Sequence, residues 1–386
     1  MSFVQSYLVN RLLGHRVKGL RLLNTIEKTA ERLVIENGDE TKFEEYALSL
    51  LHLASRGGGI EVYSLFLPEP DNWDPRELDY ELLNAAAYTN NVSLVKRLEP
   101  PLEWKDGVLG NPYHAAVLGR SFDILKFFLK DPQSIGPRTK YRLVCKAAKN
   151  GDKEMVEFIL QADWAPRKFF PVMHDNGEDR LRRLRFRYRK LRMAFQTPSI
   201  EIFNIIMQEW EICAEAPLAR DFLDEFLRDA AARGWVDMTR HIISLGAPPE
   251  SPAERRDKTG QPLYFACEYG HDEVVKLLLD HNVHLSGAEL EAAAKHGHAS
   301  TLKLLLEQGI DVHSVGAKNC LAAAAAKGHL GIVRMLLDAG MSPDEGSIAP
   351  MIQAVRAEHP GICQLLSERG ATMSVAQARA SLPDEW

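Results

Sequence analysis

The chain has 386 residues, 45% of them hydrophobic, and a formal net charge of -6. That balance describes a folded, mildly acidic protein and argues against nucleic-acid binding by the surface as a whole. No apolar run reaches the roughly 18–20 residues that a bilayer-spanning helix needs.

In chain order, the first 26 residues contain no acid and set Arg11, Arg16, Lys18 and Arg21 among Leu8, Leu12, Leu13, Leu20, Leu22 and Leu23. Such a helix serves either as a targeting segment or as an N-terminal cap whose apolar face covers the first repeat, and the cap is favoured. Between Leu33 and Phe43, Asn37-Gly38 suggests a short hairpin, although its flanks alternate poorly. Residues 1–43 are therefore expected to form a cap with a helix and a short hairpin.

From there a pattern recurs: small residues, a break, then two or three aliphatics. The break residues are Gly58, Asn90, Arg120, Gly151, Pro198, Gly234, Gly270, Gly297, Gly328 and Glu358, separated by 32, 30, 31, 47, 36, 36, 27, 31 and 30 positions. Each unit reads as two short amphipathic helices that cannot bury their apolar faces alone, which predicts an all-α solenoid of about ten stacked repeats joined by short turns or hairpins. Ala54, Ala86, Ala116, Ala147, Ala148, Ala230, Ala293, Ala324 and Ala354 let the first helices approach closely, and the leucine-rich runs fill the space under the second helices. Gly at the break ends the first helix in a left-handed residue; Asn90 tolerates that conformation, whereas Arg120, Pro198 and Glu358 imply altered turns.

The best-formed copy, DKTGQPLYFACEYGHDEVVKLLL from Asp257, is similar to the ankyrin consensus DxxGxTPLHxAxxxGHxxVVxLLL, with Tyr264 in the usual His place and no Thr before Pro262. His52 and His114 do occupy that place. The chain therefore resembles the ankyrin-repeat family, closely over 257–342, moderately over 44–160 and poorly around 194–207. The expected organisation is repeats 1–4 over 44–164, irregular middle repeats with a basic insertion over 165–250, and well-formed repeats with a cap over 251–386. The long steps insert Ala165–Arg192 and Gly246–Arg256, and insertions in solenoids map to loops on one face.

The sharpest local anomaly is DRLRRLRFRYRKLR, residues 179–192. Arg180, Arg182, Arg183, Arg185, Arg187, Arg189, Lys190 and Arg192 are cationic, and without them the chain would carry -14. Leu181, Leu184, Tyr188 and Leu191 fall at helical spacing, which gathers Arg182, Arg185, Arg189 and Arg192 on another face. That face is a plain solvated surface, a site for an anion or acidic partner, or an import signal.

The resemblance supplies a second constellation, because the two residues before the break line the concave groove of such arrays. They include Arg56, Tyr88, Lys149 with Asn150, Gln196, Arg233, Glu268 with Tyr269, Lys295 with His296, Lys327 and Arg356. Most are basic or aromatic, which suits an acidic peptide or an anionic small molecule. His271, His298, His329 and His359 follow the break in four copies, so their recurrence belongs to the repeat rather than to a metal cluster.

The five cysteines, Cys145, Cys213, Cys267, Cys320 and Cys363, show no zinc spacing and are expected to be buried free thiols in a reducing compartment, cytoplasmic or nuclear. No P-loop, GxSxG, HExxH, dinucleotide or kinase signature occurs, so neither cofactor nor metal is expected. The leading expectation is a non-catalytic ankyrin-like module binding a protein partner, acidic by its groove, through groove and turn tips. The alternative is an unusual enzyme or small-molecule binder whose pocket lies near Phe169–Arg192, Trp164, Trp210 and Trp235.

Overall fold

The computed structural model describes residues 12, 21–57, 75–98, 108–129, 137–161, 195–209, 216–250, 261–346 and 349–381. The chain divides into two compact units, Met1–Glu211 and Ile212–Trp386. Every regular element among the described residues is helical.

The N-terminal unit begins with α1 (Arg21–Asn37), which buries Leu22, Leu23, Ile26, Ala30 and Leu33. It packs on α2 (Phe43–Gly57) and α3 (Pro75–Tyr88). The expected hairpin is absent. Ile26, Ala30 and Leu33 share one helical face, so the helical period runs through the segment, and Asn37-Gly38 stops the helix: Gly38 has φ 68° and its amide reaches Val34 O at 2.9 Å. A short 3₁₀ turn, Glu40–Lys42, capped by Asp39, leads into α2.

Helix pairs follow: α3 with α4 (Val92–Leu98), α5 (Pro112–Leu118) with α6 (Phe122–Phe128), α7 (Pro137–Lys149) with α8 (Lys153–Gln161), and then α9 (Ile200–Glu209). The C-terminal unit stacks five pairs: α10 (Ala216–Ala232) with α11 (Val236–Ser244), α12 (Pro262–Glu268) with α13 (Asp272–Leu279), α14 (Ala288–His296) with α15 (Ala299–Glu307), α16 (Cys320–Ala326) with α17 (Leu330–Asp338), and α18 (Pro350–Arg356) with α19 (Pro360–Glu368). First helices pack on first helices and second on second, and α20 (Val375–Ala380) closes the end against α18. The alanines expected at close helix approaches are all buried, and Cys267, Cys320 and Cys363 lie in one core with the leucines of the second helices.

One backbone device repeats at eight breaks. Asn90, Arg120, Gly151, Gly234, Gly270, Gly297, Gly328 and Glu358 all take φ between 55° and 86°. The residue after each donates its amide to a carbonyl five positions back, from Asn91 N to Ala86 O (2.9 Å) through His359 N to Ala354 O (2.9 Å). This is a Schellman closure. Arg120 and Glu358 therefore do not alter the turn, as their side chains had implied; they accept a left-handed conformation that costs about 1–2 kcal/mol without glycine. Arg120 has compensation in its ion pairs with Asp152 (3.0 Å) and Glu154. At Pro198 the ring forbids positive φ, and the turn does differ.

The residue after the break takes one of two solutions. In the N-terminal unit Asn91 and Asp152 cap their own helices, accepting from Leu94 N and Met155 N at 3.1 Å each. In the C-terminal unit His271, His298 and His329 make no such bond. Each instead reaches back one repeat: Nε2 donates to Ala232 O at 3.1 Å, Glu268 O at 3.0 Å and Lys295 O at 3.3 Å respectively. The acceptor is a carbonyl, so Nε2 must carry the proton.

These rings lean over the preceding break. A Cβ on Gly234 would stand 2.6 Å from His271 Nδ1, and one on Gly297 or Gly328 would stand 2.8 Å from the ring of His329 or His359; Gly270 is as crowded by His298. Beside Gly151 nothing lies within 4 Å. At the breaks, glycine is thus required twice over where a histidine follows one repeat later, and only for its φ at Gly151.

That difference is measurable by urea denaturation. Gly270→Ala should lose about 2–3 kcal/mol, from left-handed strain plus a displaced ring and its hydrogen bond; Gly151→Ala should lose only about 1–2 kcal/mol. In the Gly270→Ala background a further His298→Ala should be nearly silent, and additive losses would show that ring and glycine are not coupled.

A second expectation concerns His114, whose imidazole is held down to about 4 by burial and then by Lys146 and Arg142. Its folded value lies below the unfolded one near 6.5, so its contribution is full above that value and is lost as pH falls toward 4. At pH 5 the loss is about 2 kcal/mol, and His114→Gln should flatten this part of the pH–stability curve.

Candidate functional site

The last turns of α10, α12, α14 and α16 end at a crowded glycine and that of α18 at Glu358, and residues just before each break are carried out to the rim. Arg233, Tyr269, Lys295, His296, Lys327 and Arg356 are all exposed there, Tyr269 by 54%. Arg233, Tyr269, His296 and Lys327 hold the same repeat position on consecutive repeats. Lys149 is exposed two residues before the break that follows α7 in the N-terminal unit, the place Lys295 holds in its repeat.

The ring after the break forms a platform for the residue before it. Arg233 sits over Trp235 at 5.2 Å, Tyr269 stacks on His271 with centroids 6.3 Å apart and 26° between planes, and His296 leans on His298 at 6.4 Å. His296 also contacts Ala292 O through Nδ1 at 3.2 Å. The sequence reading missed this platform, although the signal was present: an aromatic or imidazole ring follows the break in five successive copies.

Charge is distributed unevenly. Between 212 and 386 there are 24 acidic and 16 basic side chains, so the unit is acidic on balance. Many of its cations are neutralised nearby: Arg240 by Asp237 (3.2 Å), Lys276 by Glu273 (3.4 Å), Lys303 by Glu307 (3.7 Å) and Arg369 by Asp338 (2.6 Å). Arg233, Lys295 and Lys327 form no ion pair with any described residue.

Acids gather one turn deeper. Burial, and after it Glu268, Glu291 and Glu289, push the Tyr264 phenol up; burial raises the Glu291 carboxyl against the pull of Lys295. Glu289 is a structural staple, nearly sealed from solvent and accepting from Ser286 N and Gly287 N at 3.1 and 3.0 Å. Glu81 plays the equivalent part in the N-terminal unit, accepting from the Val108 and Leu109 amides.

Other candidates fare differently. Arg182, Arg185, Arg189 and Arg192 lie outside the described residues, as do Trp164, Trp210 and Phe169–Arg192. An open polar cleft of about 380 Å³ is lined by Arg120 and the turn Asn150–Glu154. No metal-holding cluster of His, Cys, Asp and Glu occurs among the described residues, and no described helix is long and apolar enough to cross a membrane.

Stacked helix pairs closed by a common left-handed turn define a helical repeat solenoid, and comparison with known proteins specifies the type. Residues 290–377 match the family model for three copies of ankyrin repeats, and 261–287 match the single ankyrin repeat. The C-terminal unit thus carries ankyrin repeats over 261–287 and 290–377, and such repeats indicate a protein–protein interaction module. Among solved structures it is similar to the human ASB11 ankyrin repeat domain, at 26% identity over 38% of this chain and 69% of that one, with a TM-score of 0.33. Comparison with curated proteins returned no match.

Proposed function

We propose that the chain is a non-catalytic interaction module that binds an acidic protein segment along the edge formed by Arg233, Tyr269, Lys295, His296, Lys327 and Arg356. The observation that carries this reading is the exposure of Arg233, Lys295 and Lys327 as cations without ion-pair partners within two residues of their first-helix breaks, in a unit that is otherwise acidic. An exposed charge awaiting a partner steers encounter and selects sign. Aromatic and guanidinium groups resting on rings lose little side-chain freedom when a partner arrives, which favours affinity. Lys149 offers the same chemistry at one position in the N-terminal unit. No described residue favours the enzymatic or small-molecule alternative.

The test is selection from a display library of short peptides at low and moderate salt, using the full chain. Acidic segments should dominate, their affinity should fall with salt, and Lys295→Glu with Lys327→Glu should weaken them about tenfold or more, or 1.4 kcal/mol. Equal recovery of neutral or basic peptides would sink the proposal.

A further inference from the structure

Resting on the acidic-partner reading, we infer that the edge reads an extended segment whose acidic side chains recur every third residue, with a neutral or aromatic residue where the segment passes Tyr269. The period follows from two lengths. The first helices α10, α12, α14, α16 and α18 pack directly on one another, and packed helix axes stand about 8–10 Å apart. An extended or polyproline segment advances about 3.1–3.4 Å per residue, so three residues cover about 10 Å. Two residues fall short at about 6–7 Å, and four overshoot at about 13 Å. A helical partner advances only about 1.5 Å per residue and would need six or seven residues per repeat, turning its side chains away between contacts.

The order of chemistry along the edge sets the rest of the pattern. Arg233, then Tyr269, then Lys295 with His296, then Lys327, then Arg356 stand on five consecutive first-helix ends. Lys295 and Lys327 thus call for acids one three-residue step apart, and the segment passes Arg356 at the next step. The second end differs, because Glu268 directly precedes Tyr269 and is only partly buried. A carboxylate brought there meets a like charge with no cation on that helix end, whereas a flat or apolar side chain meets the exposed phenol face. A further step reaches Arg233, held over Trp235. The whole edge is spanned by about 13 residues.

The probes are synthetic fluorescent peptides of identical composition, made in both chain directions. One carries glutamates at every third position except opposite Tyr269, where it has phenylalanine; the other carries the same glutamates in one block. Anisotropy titrations with the full chain should favour the periodic peptide in one direction by about tenfold, and Lys327→Glu should erase that preference. Circular dichroism checks the fold of that variant, with Lys295→Glu as the second choice. Equal binding of periodic and blocked peptides overturns the three-residue register while leaving the acidic-partner reading intact. Failure of both to bind overturns the two together. A single-stranded oligonucleotide of equal charge that competes as well as the periodic peptide also overturns the inference, since it would show that charge density alone is read.

Discussion

The contact on which the C-terminal unit depends is a histidine laid across a glycine. His271, His298 and His329 each bind the last-turn carbonyl of the repeat before, and each occupies the space that a Cβ on that repeat's break would fill. One interaction therefore fixes two things, the closure of a helix and the seat of its neighbour. A carbonyl at a helix C-terminus has no intrahelical partner and would be left to water; here the next repeat supplies the donor. The repeats of α12/α13 and α14/α15 both give and receive such a bond, so neighbours stabilise each other along this part of the stack, in keeping with the nearest-neighbour energetics of solenoids.

The N-terminal unit shows what happens when the residue after the break is small. Asn91 and Asp152 turn inward to cap their own helices and lay no ring over the preceding break; Asp152 instead pairs with the Arg120 side chain at 3.0 Å. The left-handed residue then need not clear a ring, and Asn90 and Arg120 hold that conformation with φ 57° and 55°. Glu358 obeys the same logic at the other end, since no later histidine follows it. Substitution at the break is thus governed by the residue one repeat downstream, a dependence that runs through space and not along the chain.

This is also why the sequence was legible in some places and not in others. The spacing of the breaks, the alanines of the first helices and the leucines of the second give the helix pairs directly, because burial imposes that period wherever the chain stacks. The turns at Arg120 and Glu358 were misjudged from local preference: about 1–2 kcal/mol of strain is outweighed by a backbone bond and by packing on both sides. Asn37-Gly38 carried a hairpin signal, but Ile26, Ala30 and Leu33 already committed the segment to a helix. The edge residues Lys295 and Lys327 were visible in the sequence, while the rings beneath their neighbours were not valued, because Trp235 and His271 act on residues two positions earlier through the turn.

Helix electrostatics alone do not account for the cations at this edge. A helix C-terminus favours a positive side chain by about 0.3–1 kcal/mol, and that pull acts on first and second helices alike. The last turns of α10, α12 and α16 lack a basic residue just as those of α15, α17 and α19 do, and Lys276 and Arg369, which lie at second-helix ends, are tied to Glu273 and Asp338. The first-helix ends hold Arg233, Lys295 and Lys327 without such ties. A stability requirement satisfied on one set of helices by paired charges, or by none, does not demand unpaired ones on the other. What sets the first-helix ends apart is their setting: histidines from one repeat later bind their carbonyls, rings after the break support Arg233, Tyr269 and His296, and their last residues are exposed. Arg233 held on that support, and Lys295 and Lys327 exposed beside it, remain available for another chain.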